Sequence, residues 1–275
     1  MSARRERRTG PVAAGRTRTV DVALAPADFP GLALDGRAAL VVDVLRATTT
    51  AVAACAAGCA RIVPVADRDA AIAAAARYPP GEALLAGERG GRTITGFHLG
   101  NSPLEYVPER VGGRTVIFTT TNGTGAMLHA GRAAAAALAA LVNVGAAARW
   151  ALEQDRDLTV LCAGEKRAFA LEDAVCAGLL VERLLAESGS IELTDAALAA
   201  LRLGEHYAEH LDRLGHESAW GRALARQGRA EDLDACLRLG TSPQVPVFEA
   251  GVIVPGPGSP APEAVARVAK QEGGE

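Results

Sequence analysis

The chain lacks an apolar run long enough to cross a bilayer; its longest, the alanine-rich stretch 133–144, is too short. It lacks an excess of positive charge. Lys and Arg total 29 against 32 Asp and Glu, a net charge of −3. That balance argues against a nucleic-acid binder driven by bulk charge. Cysteine is sparse and odd in number. Cys55, Cys59, Cys162, Cys176 and Cys236 are scattered, unlike the framework of a small disulfide-stapled secreted domain. No apolar segment of signal-peptide length follows Arg4, Arg5, Arg7, Arg8, Arg16 and Arg18. Residues 1–18 therefore read as a disordered basic leader, and the chain as cytoplasmic.

Several site patterns are missing too. There is no Gly-x4-Gly-Lys-Ser/Thr, so P-loop chemistry is excluded. Gly123-Thr-Gly125 lacks the third glycine of a dinucleotide fingerprint. Cys162 has Arg167 at the fifth position after it, where a cysteine-phosphatase loop needs arginine at the sixth. Asp43 has Leu45 two residues on, where a haloacid-dehalogenase site needs a second aspartate. No Cys/His spacing suits zinc. His206, His210 and His216 fall in a helical stretch and read as a solvated face.

What is present is a chain of 275 residues, 49 % hydrophobic and 22 % charged, able to bury a substantial core. Short apolar runs alternate with helical patterns. Strands are predicted at 38–44, 61–66, 83–86, 114–119, 134–142 and 158–162, with a last strand signal at 245–254 broken at Gly251. Pro64 suggests an edge strand or a bulge. Helices are predicted at 48–57, 68–78, 123–129, 144–153 and 171–187, the second capped by Asp67 and the fourth by Asn143. A helical segment follows near the carboxyl terminus, at 194–203, 205–214, 218–226 and 231–239. The alternation predicts an α/β fold: three layers, α/β/α, around a mainly parallel or mixed sheet. One domain is expected over 19–255, with a division into two lobes left open. A flexible tail is expected over 256–275, after four prolines and two glycines between Pro255 and Pro262.

In such sheets ligands gather beyond the carboxyl ends of the strands. There the sequence places Asp43-Val-Leu-Arg46-Ala-Thr48-Thr49-Thr50, Gly87-Glu88-Arg89-Gly90-Gly91, Thr119-Thr120-Thr121-Asn122-Gly123-Thr124 and Ala163-Gly164-Glu165-Lys166-Arg167. The opposite turns, such as Pro79-Pro80-Gly81, are bland. A carboxylate at the end of an apolar strand is costly unless it meets a cation or donors. Arg46 offers a fork for phosphate or carboxylate oxygens. The two threonine-rich helix starts offer hydroxyls and free N–H groups to an anion, or simply cap their helices. Gly100-Asn101-Ser102-Pro103 is a further polar turn, and Glu172 and Asp173 open a helix.

Together these segments resemble the 2-phosphosulfolactate phosphatases. The match is carried by Val41-Val-Asp-Val-Leu-Arg-Ala-Thr-Thr-Thr50, Gly87-Glu-Arg-Gly-Gly91, Gly96-Phe-His-Leu-Gly-Asn-Ser-Pro-Leu-Glu-Tyr106, Thr119-Thr-Thr-Asn-Gly-Thr124, Cys162-Ala-Gly164 and Ala170-Leu-Glu-Asp-Ala-Val-Cys-Ala-Gly178, in the family's order. The resemblance implies an α/β/α fold, a homodimer and a Mg²⁺-dependent phosphatase releasing phosphate from 2-phospho-3-sulfolactate, a step of coenzyme M biosynthesis. This chain departs at His98, where the family usually has aspartate, and at Glu165-Lys166-Arg167, where it usually has glycine.

On this reading Asp43, Arg46, Glu88 and Arg89 are the catalytic set. Thr48, Thr49, Thr50, Asn101, Ser102, Thr120, Thr121, Asn122, Gly123, Thr124 and Lys166 bind phosphate and substrate. Mg²⁺ is held by Asp43 with Glu88 or Asp173. The partner is a small anionic organophosphate, with no nucleic acid and no membrane. The nucleophile is either Asp43 or a metal-activated water. Two rivals remain: a thiol hydrolase using Cys162, and a non-catalytic organophosphate-binding protein.

Overall fold

A computed structural model describes residues 16–256. In chain order the regular elements are β1 (Arg18–Ala23), β2 (Ala38–Val42), α1 (Ala47–Ala56), β3 (Arg61–Pro64), α2 (Arg68–Ala75), β4 (Ala83–Arg89), β5 (Arg92–Thr93), α3 (Pro108–Val111), β6 (Thr115–Thr119), α4 (Gly123–Ala130), β7 (Ala135–Ala139), α5 (Val144–Glu153), β8 (Leu158–Cys162), α6 (Leu171–Glu187), β9 (Ile191–Leu193), α7 (Asp195–Tyr207), α8 (Leu214–Glu217), α9 (Ala219–Arg226), α10 (Ala230–Cys236), β10 (Pro246–Glu249) and β11 (Val252–Pro255).

The strands form one sheet in the order β5-β4-β6-β3-β11-β10-β7-β2-β8-β1-β9. It contains two parallel blocks, β4-β6-β3 and β7-β2-β8-β1-β9. The antiparallel hairpin β10–β11 is inserted between them, pairing with β7 on one side and β3 on the other. The sheet is therefore mixed. The strand signal broken at Gly251 is this hairpin: Ala250 and Gly251, both at positive φ, turn the chain.

Both faces of β7, β2 and β8 are buried, and the period-two alternation of a strand assigns the partners. Leu40, Val42, Val160 and Cys162 pack with Val175, Leu180 and Val144 of α6 and α5. Their neighbours Ala39, Val41, Leu138 and Leu161 pack with Ala51, Ala126 and Met127 of α1 and α4. That is the three-layer arrangement. No helix of the described residues is long and apolar enough to cross a membrane.

Three antiparallel steps separate β7 from β3, so the two blocks run in opposite directions. A flat sheet of this order would place the ends of β2 and β6 on opposite edges. They meet because the sheet twists and coils, with α4 touching β2 and β8 as well as β3 and β6. The single polar edge expected from sequence is thus two edges brought face to face.

Several local expectations are corrected. Pro64 is not on an edge strand: β3 lies between β6 and β11. It ends its strand, beyond the single bridge of β3 to β11 at Ile62. Asn143 does not cap α5 through its side chain. Its amide instead accepts from the Ala140 N–H and donates to the carbonyls of Leu138 and Gln244. The helix expected at 205–214 is split, since α7 runs through to Tyr207 and α8 starts at Leu214. Of the leader expected over 1–18, residues 1–15 lie outside the described residues. Arg18 belongs to the fold as the start of β1, and Arg16 pairs with Asp157 at 2.8 Å. Residues 257–275 of the expected tail also lie outside the described residues.

Candidate active site

Asp43 follows the last residue of β2 and is 7 % exposed. Its backbone and one carboxylate oxygen are spent locally. Oδ1 accepts the Ala47 N–H at 3.1 Å, and the carbonyl accepts the Thr48 N–H and hydroxyl. Among the described residues Oδ2 accepts no hydrogen bond, and no cation pairs with the carboxylate. Burial pushes the carboxyl up to about 7, and the nearby Glu88, Glu172 and Glu165 push the same way against the Ala47 hydrogen bond. Gly123 leaves the space for Oδ2: a Cβ there would stand 2.6 Å from that oxygen and 2.5 Å from the Ala47 Cβ.

The threonines of this turn hold the turn and do not line the site around Asp43. The Thr48 hydroxyl bonds to the Asp43 backbone, that of Thr49 to the Val44 carbonyl, and that of Thr50 to the Asn101 carbonyl. All three are buried. Thr120 and Thr124 likewise close the start of α4 on each other, each hydroxyl accepting the other's N–H. Their small, β-branched side chains with a local hydroxyl suit helix starts.

Arg46 is almost fully enclosed. One guanidinium nitrogen donates to Asp232 of α10, another to the Gly91 carbonyl at 3.1 Å, and Nε is buried without a partner. Ser102 also donates to Asp232, so a carboxylate from the carboxyl-terminal helices ties together two expected site residues. Glu88 accepts the N–H groups of Gly91 and Thr121, each at 2.7 Å, locking the β4–β5 turn to the loop before α4. Arg89 turns away to the Glu88 carbonyl and the Thr119 hydroxyl and leaves the site around Asp43. Its positive charge finds the Glu88 and Ala66 carbonyls and the Thr119 hydroxyl instead.

A cavity of about 210 Å³ brings Asp43, Arg46, Glu88, Asn101, Thr121, Asn122 and Lys166 together, with Glu165 and Trp220 on its wall. Asn122 bridges the two loops, donating to Glu165 at 2.7 Å and accepting the Lys166 N–H. Lys166 stands exposed at the mouth beside Glu165.

Of the expected Mg²⁺ ligands, Asp43 and Glu88 share the cavity and Asp173 does not line it. Asp173 points both oxygens at backbone, accepting from Val44 and Gly164 at 2.9 Å, and so pins the β2 turn to the β8 turn. Among the described residues no three His, Cys, Asp or Glu side chains converge as a ready-made metal cage. The cavity nevertheless suits a hard cation that keeps several waters and needs only one or two carboxylates. The free Oδ2 of Asp43 and the Glu88 carboxylate share it with the Asn101 Oδ1, a buried oxygen without a hydrogen-bond partner.

Cys162 is fully buried, and burial, then Asp173, push its thiol well above the ordinary value, so it has neither access nor a thiolate. His98 lies at the edge of β4, where Nδ1 accepts the Leu85 N–H, and does not line the cavity around Asp43. Sequence reasoning missed Asp232 and Trp220. Neither carries a local motif, and both reach the site only through the packing of α9 and α10.

A family model described as 2-phosphosulpholactate phosphatase matches residues 24–251. The chain is 42 % identical over 225 residues to a probable 2-phosphosulfolactate phosphatase of Symbiobacterium thermophilum, covering 82 % of this chain and 97 % of that protein. It is 43 % identical over 222 residues to one of Deinococcus radiodurans, covering 79 % and 90 %. A third, from Caldanaerobacter subterraneus, is 36 % identical over 214 residues, covering 78 % and 88 %.

Proposed function

The chain belongs to the 2-phosphosulfolactate phosphatase family, and from that premise we propose that its cavity hydrolyses the phosphate monoester of 2-phospho-3-sulfolactate or a similar small phosphorylated 2-hydroxy acid. The products are the hydroxy acid, sulfolactate in the first case, and phosphate. The observation that carries the reading is the Asp43 carboxylate, buried without a cation partner and with one oxygen open to the same cavity as Arg46.

Phosphoryl transfer is mainly a matter of positioning and of neutralising charge on the transferring group. Arg46 is held by Asp232 and Gly91 with Nε unspent, so it meets phosphoryl oxygens without first being ordered. Lys166 adds an exposed positive charge at the mouth. Asp43 faces the phosphorus either as the attacking carboxylate or as the group that takes the proton from an attacking water. The proposal includes Mg²⁺, held by Asp43, Glu88 and the Asn101 amide oxygen. When bound it supplies Lewis-acid neutralisation of the phosphoryl oxygens. The expected homodimer belongs to the same proposal, with the exposed Leu104 beside an apolar groove as its candidate face. A cytoplasmic location and a place in coenzyme M biosynthesis belong to it as well; the unpaired cysteines accord with a reducing compartment.

The test is phosphate release from 2-phospho-3-sulfolactate with and without Mg²⁺. Release that stops in EDTA and returns with Mg²⁺ supports the reading; release that persists in EDTA defeats the metal assignment. Phosphate trapped on the protein after acid quench identifies Asp43 as the nucleophile. With a chirally labelled thiophosphate ester, inversion of configuration at phosphorus identifies direct attack by water, and retention identifies a phosphoryl-aspartate intermediate.

A further inference from the structure

Beside the catalytic cavity runs a second one of about 380 Å³, which shares Thr121 and Asn122 with it. One wall is a single face of α4 and the turn after it: Asn122, Gly125, Ala126, His129 and Arg132. The three- and four-residue spacing of a helix puts these side chains in line, and the small residues in the middle leave the groove open. The facing wall carries Phe29 and Arg167.

Three features mark the far end as built for an anion. The guanidiniums of Arg132 and Arg167 make no hydrogen bond or ion pair among the described residues. The His129 Nε2 is buried and has no hydrogen-bond partner among the described residues. The His129 ring is fixed by stacking on Phe29, at 5.0 Å between centroids and 23° between planes. Two guanidiniums and the fixed His129 ring line one cavity, and among the described residues no acidic side chain lines it.

Length then bears on the ligand. His129 lies six positions along α4 from Gly123, about 9 Å at ~1.5 Å per residue. A three-carbon acid spans only about 5 Å at ~1.5 Å per bond. We propose that this groove is a second anion subsite that binds the distal acid group of a phosphorylated hydroxy acid longer than three carbons, while its phosphate occupies the cavity at Asp43. The inference rests on the phosphatase reading for the chemistry and on the α4 groove for the choice of substrate.

The test compares 2-phosphooxyadipate with 2-phosphooxyhexanoate, which share chain length and differ by the distal carboxylate. In the native protein KM for the adipate ester is expected to be at least tenfold lower. In Arg132→Gln and in Arg132→Gln/Arg167→Gln that ratio is expected to collapse towards one. A native ratio within twofold of one, or a tenfold ratio that survives both variants, overturns the subsite while leaving the phosphatase standing. If neither ester releases phosphate while 2-phospho-3-sulfolactate does, the subsite is overturned; if none of the three does, the phosphatase reading fails instead. Calorimetric binding of 2-hydroxyadipate then decides the groove: affinity lost in Arg132→Gln supports it, and equal affinity in both proteins overturns it.

Discussion

Asp232→Asn isolates the contact that joins the carboxyl-terminal helices to the site. The Arg46 and Asp232 side chains are only 1 % and 4 % exposed, so their ion pair is not a surface pair of small worth. Removing one member of a buried pair leaves a charge uncompensated and costs about 3–5 kcal/mol. Asparagine keeps the shape and an acceptor for Ser102, which sets the expectation at the lower end, about 3 kcal/mol. For a chain of this size each kcal/mol shifts Tm by about 2–4 °C, so the variant should melt roughly 6–12 °C lower. Urea unfolding and calorimetry at pH 7 read both quantities. Arg46→Met/Asp232→Leu provides the control, because it removes the stranded charge and should be more stable than Asp232→Asn alone. A single variant within about 1 kcal/mol of the native protein, or a double variant less stable than the single, would refute the reasoning that Arg46 is a desolvated cation held by one carboxylate.

Burial raises the Asp43 carboxyl from the ordinary 3.8 to about 7 in the folded metal-free protein. The folded state therefore holds this proton more tightly, and stability should fall as pH rises from about 4 to 7, on the order of 4 kcal/mol in all. Asp43→Asn should be more stable than the native metal-free protein at pH 8 in thermal melts while releasing no phosphate; equal stability would contradict the desolvation argument. Gly123→Ala puts a methyl group 2.6 Å from the Asp43 Oδ2 and should cost about 1–3 kcal/mol together with most of the turnover; a wild-type-like urea midpoint and rate would show that the approach is looser than described. Cys162→Ala should keep phosphate release within about twofold, since the thiol is buried and protonated; loss of turnover in a folded variant would restore the thiol mechanism.

Much of the architecture was legible locally because its signals are local. The β-branched and aromatic run at β6, the Asp67 cap of α2, the apolar β2 and the Gly251 break each depend on a handful of neighbouring residues. The turns after β2, β4, β6 and β8 could be marked as chemical because charged and hydroxyl residues there interrupt apolar strands. Composition could not say which way each side chain faces. Thr48, Thr49 and Thr50 satisfy the backbone, Arg89 leaves the site around Asp43, and Asp173 staples two turns. Those choices follow from which buried N–H and carbonyl groups need a partner, and that is settled only when the loops are packed.

By itself the sequence determined the alternation of strands and helices, the family, and the turns that carry polar groups, since all three are written in short-range pattern. Tertiary structure alone decided that the two oppositely directed parallel blocks meet through the β10–β11 hairpin. It also decided that Asp232 and Trp220 close the cavity from distant helices, and that Asp43 keeps one oxygen open. Each is a contact between residues far apart in the chain, and its energy comes from desolvation and hydrogen-bond satisfaction that exist only in the folded interior.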